Sequence, residues 1–323
     1  MKLDKPSLML LFFTVVSTQL FCQKNLDFFK IIPSDTPELF GKEIISDAYG
    51  NRDMALAPDH KEFFYTIQYK SGAFSAILFS KKIKGIWSKP EVAPFSGQYN
   101  DLEPAYSPDG SRLYFVSNRP IDSSNRAKDY DIWYVEKATG DRWSNPIRMD
   151  APVNSSKNEF YPSITKSGSI YFTREMEGKD EDIVWCASHS GRYAEAVSLP
   201  DEINSKGAEF NAYVDPDETF VIFTAYKKTG NFGQGDLYIS IKSQDGRWAP
   251  AKNLGHIIND KGLTYCPYVS SDRKFFFFTS ARWTSPPFNE KQNIASLKKK
   301  LESPKNGWDN IYWIDAKSIL TLK

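Results

Sequence analysis

Residues 101–119 read DLEPAYSPDGSRLYFVSNR, and their reading decides the fold because the same plan recurs four more times along the chain. Pro108-Asp109-Gly110 supplies a fixed φ, a side chain able to accept from its own backbone, and a residue tolerant of positive φ. Short β-prone runs flank it, Pro104 to Ser107 before and Leu113 to Ser117 after, so the stretch predicts a β-hairpin. The copies are NRDMALAPDHKEFFYT at 51–66, EFYPSITKSGSIYFTR at 159–174, EFNAYVDPDETFVIFT at 209–224 and TYCPYVSSDRKFFFFTSAR at 264–282. Their turns fall at Asp59, Asp109, Ser167, Asp217 and Asp272, in steps of 50, 58, 50 and 55 residues. Periods near 50 belong to arrays of one supersecondary unit, above all the blades of propellers.

Each repeat adds two further strands. A third opens on Asp131-Ile132-Trp133, Asp182-Ile183-Val184, Asp236-Leu237-Tyr238 or Asn310-Ile311-Tyr312, with Ala76-Ile77-Leu78 as the first repeat's counterpart. A glycine-bearing turn then leads to an aromatic, at Trp87, Trp143, Tyr193 and Trp248, and a fourth strand ends in tails such as Asp201-Glu202-Ile203-Asn204. These recurring aromatics, and the run Phe275 to Phe278, read as packing between blades. The fifth repeat stops too soon for a fourth strand, while Phe40-Gly41-Lys42-Glu43-Ile44-Ile45 near the other end resembles Leu254-Gly255-His256-Ile257-Ile258-Asn259. The chain therefore reads as an all-β propeller of four-stranded antiparallel blades, with an N-terminal strand completing the last blade and pairing the open edges. Five blades are favoured; a sixth would need a decayed hairpin before Asn51 or within 283–309.

The Tyr-Ser-Pro-Asp-Gly turn, the following Tyr-Phe-Val-Ser-Asn-Arg and the Asp-Ile-Trp of the third strand together resemble the Pro-Asp variety of the WD-type propeller repeat. That repeat occurs in the periplasmic protein TolB and in exported proteins of Bacteroidetes-like bacteria. The resemblance spans about residues 37–315; His60, Lys166-Ser167 and Ser271 depart from it. It implies a fold and little chemistry, since such propellers serve as scaffolds, binding modules and enzyme domains.

Residues 1–22 read as a signal peptide, Lys2 and Lys5 preceding the apolar run from Leu8 to Val16, which is too short for a membrane anchor. Residues 23–36 are a lead-in, and 37–323 form one propeller domain. The expected location is the periplasm or the exterior; lipidation at Cys22 is disfavoured by the bulky Phe21. A net charge of +1 gives no broad field for nucleic acid. Cys186 and Cys266 fall in different repeats at different strand positions, which argues against a disulfide.

In a propeller the loops entering the first strand and joining the second to the third share one face, here called the upper face. Glu103, Glu159 and Glu209 are expected there, with Arg119, Arg174 and Arg282 following second strands. Because these residues repeat, most of their role is expected to be structural; the remainder points to a polar ligand site at the channel mouth. Trp283, outside the repeating columns and within the long 281–309 loop, is a candidate for stacking on a sugar or docking a peptide. The only histidines, His60, His189 and His256, do not converge, which disfavours a triad or a zinc site. The leading expectation is a monomeric, non-catalytic module binding a protein or glycan partner at the cell envelope, with no cofactor and only a weak case for calcium, at the channel or at Asp180-Glu181-Asp182. The alternative is a carbohydrate-active hydrolase or lyase using Glu103, Glu159 or Glu209, since two suitably spaced carboxyls suffice for glycoside cleavage.

Overall fold

A computed structural model describes residues 27–70, 72–121, 128–140, 142–178, 180–283 and 288–321. The expected leader, Cys22, Asp141, Pro286 and Pro287 lie outside them. Five antiparallel sheets follow one another along the chain. Blade 1 comprises Gly50–Leu56, Glu62–Tyr69, Phe74–Ile83 and Glu91–Val92; blade 2 comprises Asp101–Tyr106, Arg112–Ser117, Asp131–Ala138 and Ile147–Arg148. Blade 3 is built from Glu159–Ile164, Ile170–Glu175, Glu181–Cys186 and Val197–Ser198, and blade 4 from Ala208–Val214, Phe220–Tyr226, Gly235–Ile241 and Lys252–Asn253. Blade 5 takes Thr264–Val269, Phe275–Ser280 and Asn310–Asp315 from the C-terminal part and Glu38–Leu39 from the N-terminal part. Glu38 pairs with Trp313 and Leu39 with Tyr312, so the ring closes with the expected strand in the expected place.

Side-chain alternation along the strands builds the core. In the second strand of blade 5, Phe275 and Phe277 pack with Phe63 and Trp87 of blade 1, while Phe276 and Phe278 pack with Ile222 and Leu237 of blade 4. The other three blade junctions hold analogous clusters, around Phe64 with Phe115, Val116 with Phe172, and Ile183 with Phe223. A fully buried Phe contributes about 1.5–3 kcal/mol, so the repeated aromatic columns are the main glue between blades.

The tails of the fourth strands also have a physical reading. Asn154, Asn204 and Asn259 each clamp the third strand of their blade, accepting from the amide and donating to the carbonyl of Ile132, Ile183 and Leu237 respectively. At the closure, Phe40 donates its amide to Ile311 O at 2.9 Å and Ser46 its hydroxyl to the same oxygen at 3.0 Å. Two of the aspartates opening third strands have structural partners: Asp131 takes a bidentate pair from Arg148 at 2.8 Å, and Asp236 accepts the amides of Phe232 and Gly233. Both Cys186 and Cys266 are buried free thiols. No helix among the described residues is long and apolar enough to cross a membrane.

Candidate functional site

Every first strand carries a bulge, and the bulged residue has positive φ without being glycine: Asp53, Glu103, Tyr161, Asn211 and Cys266, at 62°, 57°, 49°, 50° and 51°. Such backbone is costly for an L residue and persists only where its surroundings hold it. Here threonines of preceding blades help hold it. Thr66, Thr173 and Thr279 accept the amides of Glu103, Asn211 and Asp53 across the junctions.

The five bulges meet on the axis in one hydrogen-bonded knot. Arg52 donates through Nε to Asp53 Oδ1 at 2.7 Å, and through a terminal nitrogen to Glu103 Oε1 at 2.6 Å and Cys266 Sγ at 3.3 Å. Glu103 Oε2 accepts the Tyr161 amide at 2.7 Å; Asn211 Nδ2 donates to Glu103 Oε1 at 3.3 Å and to Cys266 Sγ at 3.0 Å. Above Arg52 the Tyr265 ring stacks at 4.8 Å, and Phe160, Phe210 and Leu263 pack with Tyr161, Tyr265 and Cys266. The upper side of the axis is thus capped by aromatic and apolar groups.

The electrostatics follow from one cation among two carboxylates in a dry setting. Burial pushes the Glu103 carboxyl up to about 7, against the pull of Arg52, and Asp53 pushes it the same way. Burial works against charge on Arg52, yet Asp53 and its other anionic neighbours hold it well above its ordinary value. Burial also drives the Cys266 thiol well above its usual range, so it is an unreactive acceptor in this network.

Below the knot the channel opens into a cavity of about 150 Å³. Glu103 and Tyr161 form its floor, Tyr106, Tyr213 and Tyr268 are among its walls, and the hairpin turns of the blades form its rim. Two ion pairs stand at that rim, Lys166 with Asp217 at 2.8 Å and Arg273 with Asp215 at 2.7 Å. The cavity therefore lies on the face opposite the upper face.

The residues expected at the upper channel mouth divide into separate groups. Glu159 is held by Arg174 and Ser155, and Glu209 by Ser205 and, at 3.9 Å, Lys228. Glu103 is not their counterpart. It stands two residues further along its strand, in register with Tyr161 and Asn211, and its blade's counterpart of Glu159 is Asp101, which pairs with Arg119 at 2.7 Å.

The arginines staple each blade to the tail before it: Arg119 donates to Phe95 O, Arg174 to Pro152 O and Val153 O, and Arg282 to Ile257 O and Ile258 O. Trp283 is 48% exposed and bridges to Asn306. Sequence reasoning missed Arg52, Asp53, Asn211 and Cys266 as members of the axial site. The signal was present: the five bulges lie six residues before the five turn positions and repeat their spacing.

No family model and no curated protein matches the chain. Among solved structures it is similar to a glycoside hydrolase (TM-score 0.52, 10% identity, 87% of this chain and 92% of that one). It is similar too to a thermostable family-43 glycoside hydrolase (TM-score 0.50, 12% identity, 84% and 90%). The periplasmic gluconolactonase PpgL of Pseudomonas aeruginosa aligns more loosely (TM-score 0.41, 11% identity, 70% of this chain and 64% of that one). The likeness is one of fold. Among the described residues no group of three or more His, Cys, Asp and Glu side chains is arranged to hold a metal ion.

Proposed function

We propose that the chain is an exported binding module that takes a glycan unit into the tyrosine-lined cavity on its hairpin-turn face. One observation carries this reading. The channel carboxylates Asp53, Glu103, Glu159 and Glu209 all have intrachain partners, while the cavity beneath them presents aromatic walls with charged pairs at the rim. Ring faces with nearby hydrogen-bonding groups suit the apolar faces and hydroxyls of a sugar. Binding to an oligosaccharide panel is expected to be lost in Lys166→Ala and Arg273→Ala, with the thermal transition preserved in the first, whose partner Asp217 is exposed; unchanged binding in both variants would sink the reading.

A second reading is favoured by Glu103 alone. A carboxyl near pH 7 at the floor of a cavity has the character of a general acid, with Asp53 as a second carboxylate beside it. Scoring the same panel for cleavage separates the two. Binding without product supports the module, and cleavage abolished by Glu103→Gln supports a hydrolase.

A further inference from the structure

The blade 5 insertion has a chemistry unlike the rest of the chain. Residues 282–308 contain six basic side chains (Arg282, Lys291, Lys298, Lys299, Lys300, Lys305) and two acidic ones (Glu290, Glu302), a balance of +4 in a chain of net +1, so all the rest sums to −3. Within it Ile294–Leu301 is an α-helix with Asn293 and Ser296 closing a reciprocal cap, and none of its residues is buried. Ile294, Leu297 and Leu301 form an apolar stripe at helical spacing and remain exposed; Lys298, Lys299 and Lys300 flank it.

The helix stands off the propeller edge, and between them runs an apolar groove. Leu297, Leu301, Trp283, Phe288 and Leu39 line it, and Lys42, Lys299, Lys300 and Lys305 border it. The presentation is fixed rather than loose. Asn306 donates to Ala48 O at 3.0 Å and to Leu301 O at 2.8 Å, Asn310 donates to Pro304 O at 2.7 Å, and Lys300 sits 4.4 Å above the Phe288 ring.

We infer that this insertion is a peripheral docking device for a bilayer leaflet rich in anionic lipid. An unpartnered apolar stripe bordered by lysines and flanked by half-exposed tryptophans, Trp283 and Trp308, matches the interface of a membrane: apolar groups enter the headgroup boundary, tryptophans sit at it, and ammonium groups reach the phosphates. The excess of positive charge selects anionic over zwitterionic headgroups.

The test is co-sedimentation of the chain from residue 23 onward with vesicles of 30% phosphatidylglycerol in phosphatidylcholine, beside vesicles of phosphatidylcholine alone. Binding is expected to the first and to weaken as salt rises. Replacing Lys298, Lys299 and Lys300 together by Gln should weaken it roughly 100-fold, about fivefold for each lysine. Leu297→Ser with Leu301→Ser should weaken it with the charge intact. Leu297, Lys298, Lys299 and Leu301 are exposed and Lys300 is half-buried on the Phe288 ring, all of them outside the blade cores, so the thermal transition should not move. Equal binding to both vesicle types, binding unchanged in the glutamine variant, or no binding at all overturns the inference; the last outcome combined with capture of an acidic peptide assigns the groove to a protein partner instead.

Discussion

At the scale of single residues the molecule turns on Arg52. One guanidinium answers two buried carboxylates and a thiol contributed by three blades, so removing it strands charges with no route to water. Arg52→Leu is expected to cost on the order of 3–5 kcal/mol in urea unfolding, the size seen when one partner of a buried ion pair is lost. Glu103 makes a contrasting prediction. Its ordinary value near 4.5 rises to about 7 in the folded chain, so between those pH values the folded state keeps a proton that the unfolded state has released. The stabilisation is fully present below pH ~4.5 and is lost as pH rises through ~7, amounting to roughly 1–3 kcal/mol. Glu103→Gln should flatten that part of the stability–pH curve; a variant curve parallel to the parent's would contradict the assignment.

Elements show where the sequence was legible and where it was not. The hairpin turn was readable because Pro-Asp-Gly names its own backbone, and even its departures can be located: His60 occupies the place of Gly110 with φ 56°. His60→Gly should therefore change stability by no more than about 1 kcal/mol in thermal melts, because relief of a left-handed residue is offset by loss of the imidazole's packing on Phe29 and Phe275. Gly110→Ala should lower it, since φ is 73° and a Cβ would stand 3.3 Å from Pro58 Cδ.

The bulges keep a fixed spacing from the turns yet announce themselves by no motif, for two reasons. An extra residue interrupts the two-residue alternation that marks a strand, and the five positions hold five different side chains, Asp, Glu, Tyr, Asn and Cys, so no motif survives comparison. Grouping Glu103 with Glu159 and Glu209 followed from matching acidic residues by type when the strand register sets them two places apart. The cavity was hidden for a related reason: its rim is built from residues whose types already had an explanation as turn chemistry, such as Pro58, Pro108 and Asp217.

For the whole molecule, stability depends on a closed ring of five junctions. Each blade presents one set of alternate side chains to each neighbour, so no blade buries its surface alone. Phe40, fully buried where the N-terminal strand joins blade 5, packs edge-on against Phe63 of blade 1 and Phe277 of blade 5. Phe40→Ala is expected to cost about 3–5 kcal/mol and to lower the midpoint of one cooperative transition. Separate melting of blade 5, seen as a second transition by calorimetry, would show that closure is local instead.

The pairing of Glu38–Leu39 with Asn310–Asp315 also imposes an order in time. On the ribosome the first strand of the domain to be made waits for nearly the last one before it has a partner. Until blade 5 is made, blade 1 has no neighbour on one side, Arg52 has not met Cys266, and the Phe29 and Phe40 rings lack the Phe277 surface they close upon. A growing chain of this design stays an open arc until its fifth blade is nearly complete; once Asn310–Asp315 meets Glu38–Leu39, both ends of the domain are held in one sheet and the ring locks.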